Sequence, residues 1–221
     1  MTSSLPFIIY IHGFNSSPAS AKARQFTEAC RQRGNCQLAV PELSHDPQQA
    51  ITQLEALVAA AGDNLQLLVG SSLGGYYATW LAEKFDCRAA LVNPAVSPVK
   101  NLGEAFLGRQ KNLYTGVEYD FTREHAMYLD TLDINPLQKP ENFLLLAQTG
   151  DAVLDYRLAA ERYAGSEQVI EEGGSHRFEG FERMFPAIFE FAETGRLSTG
   201  TRQATVSAEA PESAQRKKQK A

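Results

Sequence analysis

The residues with the clearest chemical potential form the pentapeptide Gly70-Ser71-Ser72-Leu73-Gly74. It follows an apolar run typical of a buried strand and precedes a helical pattern. A serine on a sharp strand-to-helix turn has a strained backbone, and it needs glycine two residues before and after it so that strand and helix can approach. Only Ser72 has glycine at both positions, because Val69 and Leu73 flank Ser71 at that distance. Ser72 is therefore the predicted nucleophile.

A serine hydroxyl is a weak nucleophile unless a base, itself oriented by a third group, removes its proton. Of four histidines, only His176 fits the chain order serine, acid, histidine. It lies in a glycine-rich loop between the last predicted strand and the last predicted helix, and it is the predicted base. His12 is predicted to hold a loop in place, whereas His45 and His125 receive no role.

The acid is expected shortly after the predicted strand that precedes this histidine, residues 143–147. Asp151 stands there, beyond Gly150, which permits a turn. A carboxylate at this point can accept a hydrogen bond from the imidazole and stabilise its protonated form. Asp155 is the alternative, but an aspartate at a helix start needs only a capping role. Asp151 is the preferred acid.

Negative charge that develops on a substrate oxygen requires preorganised hydrogen-bond donors. The backbone N–H groups of Phe14, after the first apolar run, and of Leu73, at the start of a helix, are the predicted donors. With Ser72, His176 and Asp151 they predict acyl transfer to water on a small carboxylic ester, with no metal or other cofactor. An acyl-CoA thioester is the alternative substrate, and a catalytically silent binding module is the alternative from another class.

The order of elements predicts an α/β fold, with a mostly parallel sheet and helices on both faces. Asp46, Pro47 and Gln49 form a predicted helix start with a capping box. Residues 98–136 show no strand signal and contain several aromatic residues, so they are predicted to be a lid-like insertion over the site; simple packing onto the body is the alternative. The predicted strands are 7–11, 37–40, 66–69, 89–92, 143–147 and 169–171, and the predicted helices are 20–33, a helix after Asp46, 73–85, 155–163 and 181–191.

Composition fits one globular domain, residues 1–195, in a chain of 221 residues with 43% hydrophobic and 21% charged residues. No membrane-spanning run or secretory signal is recognised, and three cysteines make neither a disulfide framework nor a zinc site, so we expect a cytoplasmic protein.

Residues 196–221 carry six basic and two acidic side chains, and they are predicted to form a disordered basic tail. The first 195 residues carry 15 basic and 24 acidic side chains, which argues against nucleic-acid binding. Oligomeric state is not predicted.

Several longer stretches resemble the YqiA-like bacterial esterases, which are small α/β-hydrolases. They are HGFNSSPASAKA, VGSSLGGYYATWLAEKF, VNPAVSP, QTGDAVLDYR and EEGGSHRFEGFE. The resemblance spans roughly residues 7 to 193 and implies the α/β-hydrolase fold, a cytoplasmic esterase, and triad positions at Ser72, Asp151 and His176. The chain departs from the expected pattern at Ala152, where an acidic residue is expected, and at Ser175, where Asn is expected. The basic tail lies outside the resemblance.

Overall fold

The computed structural model of the chain describes residues 5–201. A six-stranded parallel sheet in the order β2-β1-β3-β4-β7-β8 forms its centre, and β5 and β6 form a separate antiparallel pair. The predicted mostly parallel sheet is therefore confirmed. The strands are β1 (Phe7–Ile11), β2 (Gln37–Ala39), β3 (Leu65–Ser71), β4 (Ala89–Val92), β5 (Gly108–Lys111), β6 (Glu118–Phe121), β7 (Phe143–Gln148) and β8 (Glu167–Glu171).

Helices cover both faces of the sheet. They are α1 (Ala21–Arg33), α2 (Pro47–Ala61), α3 (Leu73–Phe85), α4 (Pro98–Leu102), α5 (Arg123–Asp130), α6 (Tyr156–Arg162) and α7 (Phe185–Thr194). Successive side chains of a strand point to opposite faces. Accordingly, Ile9 and Ile11 of β1 pack with α2 and α3, whereas Ile8 and Tyr10 pack with α1 and α7. The central strands β1 and β4 are apolar along their whole length, and β3 and β7 are mostly apolar, because both faces of the sheet are covered.

The start of α2 is capped by Asp46, but without the predicted capping box. The Asp46 carboxylate accepts from the N–H groups of Gln48 and Gln49, at 2.8 and 3.4 Å, with Pro47 at the first helical position. The Gln49 side chain, however, accepts from the hydroxyl of Ser44 at 3.0 Å, and the Asp46 N–H donates to that same hydroxyl. The reciprocal hydrogen bond from the Asp46 N–H to the Gln49 side chain does not form, because the Ser44 hydroxyl bonds to both groups.

The prediction that residues 98–136 lack strands is wrong. Antiparallel β5 and β6 pair from Gly108↔Phe121 to Lys111↔Glu118, and they form a hairpin within this segment. In β6 only Tyr119 and Phe121 are buried, and β5 has no fully buried side chain. β6 alternates exposed and buried residues over only four positions, and β5 has no apolar side chain, so the hairpin is difficult to recognise in a sequence.

The predicted disordered tail, residues 196–221, begins within the described part of the chain. Leu197 is buried against the α1 and α7 face of the sheet. Residues 202–221 lie outside the described residues, so the prediction of disorder is untested there. In the described part of the chain, no helix is long and apolar enough to cross a membrane.

Candidate active site

Ser72 occupies the turn between β3 and α3, with φ 57° and ψ −123°. Such a positive φ is costly for a residue other than glycine, and it persists only where surrounding structure enforces it. A Cβ on Gly70 would overlap the backbone of Gly74, and a Cβ on Gly74 would overlap the carbonyl oxygen of Ile11. The close crossing of strand, turn and helix therefore has room only for glycine at both positions.

The structure brings Ser72, His176 and Asp151 into one chain of contacts. Ser72 Oγ lies 3.1 Å from His176 Nε2, and His176 Nδ1 lies 2.7 Å from Asp151 Oδ2. Asp155 instead caps α6 through the N–H of Arg157 and pairs with the Arg157 side chain at 2.8 Å. The preferred acid, and not its alternative, contacts the imidazole.

The Asp151 carboxylate is almost completely shielded, with 2% of its side chain exposed. Its second oxygen, Oδ1, accepts from the N–H groups of Val153 and Leu154 at 2.8 and 2.9 Å. Burial acts to raise the pKa of Asp151, but the hydrogen bonds from His176 and from these two N–H groups outweigh it, so the pKa is lowered overall. Asp151 is therefore ionised at neutral pH and suited to stabilise a protonated imidazole.

The loop after β1 is pressed against Ser72. A Cβ on Gly13 would lie 3.1 Å from Ser72 Cβ, so the backbone leading to Phe14 passes directly beside the serine. Leu73 opens α3, where N–H groups have no acceptor within the helix. Within residues 5–201, neither the Phe14 nor the Leu73 N–H donates to another backbone group outside the regular elements. Both N–H groups thus lie near Ser72 without such a backbone acceptor.

Two residues that the sequence analysis did not single out hold the His176 loop. The amide nitrogen of Asn93 donates to the carbonyl oxygens of Ser175 and His176 at 3.0 and 3.3 Å. The side-chain oxygen of Gln148 accepts from the N–H groups of Ser175 and Glu179 at 3.1 and 2.8 Å. Both are buried polar residues at the ends of apolar strands, β4 and β7, and that position was the available signal.

Within residues 5–201, the other three histidines make no hydrogen bond to Ser72, Asp151 or His176, although His12 lines the same cavity as Ser72. His12 is buried, its Nδ1 lies 3.1 Å from the Gly13 carbonyl, and its Nε2 accepts from the Leu43 N–H at 3.4 Å. Burial lowers the pKa of His12. His45 stacks on Tyr119 with ring centroids 4.2 Å apart, and His125 caps the start of α5. The predicted loop-holding role of His12 fits these contacts.

A cavity of about 360 Å³ opens onto Ser72. Its lining includes Ser72 and His176 from the sheet edge, and Leu113 and Tyr114 from the turn of the β5–β6 hairpin. A second cavity of about 220 Å³ shares residues 12–16 with it and contacts Leu73. The hairpin thus contributes to the wall of the cavity that holds the serine.

Asn15 joins the hairpin to the loop that carries Phe14. Its side chain accepts from the hydroxyl of Tyr119 at 2.6 Å and donates to the side chain of Gln110 at 3.0 Å. Its carbonyl accepts from the N–H of Leu113 at 3.0 Å. Asn15 has φ 52°, a conformation that asparagine tolerates better than most residues. The insertion therefore positions the residue that directly follows a predicted oxyanion donor.

No cluster of three or more His, Cys, Asp or Glu side chains with the arrangement of a metal site occurs among residues 5–201. Residues 7–193 match the uncharacterised protein family UPF0227. The chain belongs to this family. Membership confirms the resemblance found in the sequence, because the YqiA-like proteins fall within it.

Curated relatives carry the same family name. A UPF0227 protein of Pectobacterium carotovorum is 31% identical over 98 residues, which are 43% of this chain and 54% of that protein. The UPF0227 protein YcfP of Escherichia coli is 23% identical over 194 residues, 85% of this chain and 99% of YcfP. The chain thus spans about half of the first relative and nearly all of the second.

Solved structures show which fold this is. Alpha/beta hydrolase domain-containing protein 10 from mouse superposes with a TM-score of 0.67 at 15% identity, over 87% of this chain and 90% of the mouse chain. The chain therefore has the predicted α/β-hydrolase fold.

Proposed function

We propose that the protein is a serine hydrolase that cleaves small carboxylic esters through Ser72, His176 and Asp151. The observation that carries this proposal is the continuous contact from Ser72 Oγ to His176 Nε2 at 3.1 Å and from His176 Nδ1 to Asp151 Oδ2 at 2.7 Å. A nucleophile, a base and an orienting acid within hydrogen-bond reach are the geometry that covalent catalysis by serine requires. The fold of the chain is compatible with this chemistry, although fold alone would not establish it.

In the proposed reaction, Ser72 Oγ attacks the ester carbonyl while His176 Nε2 takes the serine proton. The tetrahedral intermediate collapses when His176 returns that proton to the leaving oxygen, which releases the alcohol and leaves an acyl-serine. Water, activated by His176, then attacks the acyl carbon and releases the carboxylic acid. Asp151 remains ionised throughout and stabilises the imidazolium. Each step uses groups of this chain and water.

The tetrahedral intermediate carries negative charge on the former carbonyl oxygen. In the proposal, the N–H groups of Phe14 and Leu73 donate to that oxygen. Gly13 supports this assignment because its backbone lies so near Ser72 that a side chain there would crowd the nucleophile. One such donor is typically worth roughly 100- to 1,000-fold in kcat.

Cavity size bears on the substrate. At about 360 Å³, the cavity at Ser72 lies near the lower end of the range of roughly 300–1,000 Å³ that ligand pockets span. We therefore expect esters with short acyl chains to be preferred. A thioester of similar size would react by the same steps.

Hydrolysis of p-nitrophenyl esters from acetyl to palmitoyl tests the proposal. Wild type should turn over the short esters, and Ser72→Ala should lose at least about 10⁴-fold in kcat. Ser71→Ala is the matched control, since it removes the neighbouring hydroxyl, and it should retain most of the activity. A fluorophosphonate probe should label wild type and Ser71→Ala but not Ser72→Ala.

Two results would contradict this function. Labelling that survives in Ser72→Ala would place the nucleophile elsewhere. A folded wild type that hydrolyses neither esters nor acyl-CoA, and that takes no label, would favour the silent binding module.

A further inference from the structure

The cavity at Ser72 has a positively charged part. Lys22, from the first turn of α1, and Arg177, from the residue after His176, both belong to its lining. None of the described residues that line this cavity is Asp or Glu. The chain as a whole has a net charge of −5, and its first 195 residues hold 24 acidic side chains. Cations concentrated in a low-dielectric cleft attract substrates of the opposite charge.

Lys22 is placed beside the catalytic loop but is not neutralised there. Its Nζ donates to the carbonyl oxygens of Arg177 and His176, at 3.0 and 3.5 Å. An ammonium has three donors, so these carbonyls leave one for another acceptor. In the described part of the chain, no carboxylate lies within ion-pair distance of Lys22.

The charge state of Lys22 suits anion binding at neutral pH. Burial lowers the pKa of Lys22 to about 8, with the charge of Asp151 opposing and that of Arg177 adding to this effect. The ammonium is therefore largely protonated at pH 7. A half-buried ammonium contributes more to the binding of an anion than an exposed one, because solvent screens it less.

Arg177 differs from several other arginines of the molecule. Arg157, Arg162 and Arg183 pair with carboxylates at 2.8, 2.9 and 3.0 Å. Arg177 is exposed, and its guanidinium makes no ion pair or hydrogen bond within residues 5–201. A free guanidinium can bind a carboxylate or phosphate through two parallel hydrogen bonds.

We propose that Lys22 and Arg177 bind a carboxylate or phosphate carried by the leaving group of the substrate, which makes the preferred substrates esters of anionic alcohols. This inference rests on the proposed function, because that function makes His176 the proton donor to the leaving oxygen. The leaving group must then lie against His176. Lys22 contacts the backbone carbonyls of the same segment, residues 176–177, and lines the cavity at Ser72, so we place its remaining donor on the leaving-group side of the scissile bond.

Matched chromogenic esters test whether the enzyme prefers a carboxylate on the leaving group or on the acyl group of the substrate. The butyrate ester of 3-hydroxy-4-nitrobenzoate carries a carboxylate on its leaving group, and 2-nitrophenyl butyrate is its neutral counterpart. The p-nitrophenyl monoester of glutaric acid carries the carboxylate on the acyl side instead, with p-nitrophenyl butyrate as counterpart. Each pair gives a ratio of kcat/KM for the charged over the neutral ester, in wild type, Lys22→Met and Arg177→Gln. Lys100→Met is the control, because it removes a lysine from a separate cavity.

Wild type should prefer the ester with the charged leaving group, and Lys22→Met should lower that ratio about tenfold, the size typical of a hydrogen bond to a charged group. Arg177→Gln should lower it about threefold, because the side chain is exposed. Lys100→Met should leave it unchanged. Three results would each overturn the proposal. The first is a ratio near one in wild type, and the second is an equal fall in kcat/KM for the charged and the neutral ester in Lys22→Met. The third is a preference for the ester that carries its carboxylate on the acyl side.

A binding measurement separates this inference from the proposed function. 3-Hydroxy-4-nitrobenzoate, the anionic product, should bind wild type about tenfold more tightly than Lys22→Met by calorimetric titration. If wild type hydrolyses no ester but shows this difference, the function fails and the anion site stands. If neutral esters are hydrolysed but this difference is absent, the function stands and the anion site is wrong.

Discussion

The two sides of the cavity at Ser72 are built in different ways. On the sheet side, buried residues such as Asn93 and Gln148 fix the His176 loop, and the turn at Ser72 is enclosed by backbone. On the insertion side, the β5–β6 hairpin contacts the loop after β1 through hydrogen bonds to Asn15 and through ring contacts with Phe14, and its turn exposes 80% of Leu113. Buried, fully bonded groups permit little movement, whereas an exposed turn can vary at small cost in stability. Chemistry should therefore depend on the sheet side and substrate fit on the insertion side.

The largest loss of activity is expected for a substitution on the sheet side of the cavity. Asp151→Asn should lower kcat for p-nitrophenyl butyrate about 10⁴-fold, because the amide cannot hold the imidazole in the tautomer that accepts the serine proton. Asp155→Asn is the matched control. Asparagine also caps helices well and the Arg157 pair is exposed, so its kcat and melting temperature should stay close to wild type.

Thermal unfolding of Asp151→Asn should show a folded protein, so that the loss can be assigned to catalysis. If Asp155→Asn lost more activity than Asp151→Asn, the acid would be misassigned and the sheet side would not be organised as proposed.

An intermediate effect is expected on the insertion side. Tyr119→Phe removes the hydroxyl that donates to Asn15 at 2.6 Å, while the ring can still stack on His45. A buried hydrogen bond of this kind is worth roughly 0.5 to 1.5 kcal/mol, so kcat/KM should fall by up to about tenfold as the Phe14 loop loses one of its ties to the hairpin. Steady-state kinetics across the acyl series would show whether chain-length preference also changes.

Tyr128→Phe controls for loss of a tyrosine hydroxyl from the same insertion. No hydrogen bond of the Tyr128 side chain occurs among residues 5–201, so this variant should behave like wild type. Equal effects of the two substitutions would mean that the hairpin does not position the Phe14 loop through Asn15.

The sequence allowed more of the sheet side than of the insertion side to be predicted. The core strands were found because both faces are buried, and the turn at Ser72 because its steric demands fall within five residues. The hairpin was missed because its strands are four residues each and mostly polar. Asn93 and Lys22 were missed because they act on His176 from 83 and 154 residues away, and no local pattern encodes such a contact. The position of Asp151 between Ser72 and His176 along the chain was enough to identify it. The two backbone N–H groups that donate to its carboxylate could be found only in the structure.

The smallest effect is expected for the pH dependence of the preference for anionic esters, which involves the positively charged part of the cavity. The free-enzyme pKa governs kcat/KM, and burial lowers the pKa of Lys22 to about 8, with Asp151 and Arg177 as the charged groups facing it. A lysine loses its charge as pH rises through its pKa. The ratio of kcat/KM for the ester with the charged leaving group over its neutral counterpart should therefore fall about fivefold between pH 7 and pH 9, given the tenfold contribution of the charge.

Taking the ratio cancels the titration of any group that changes the rates of both esters equally. In Lys22→Met the ratio should be flat across this range, whereas Lys100→Met should follow the wild-type curve. A wild-type ratio that stays constant to pH 9 would mean that Lys22 does not contact the anion in its charged form. The selectivity for the anionic ester would then have to come from the Arg177 guanidinium.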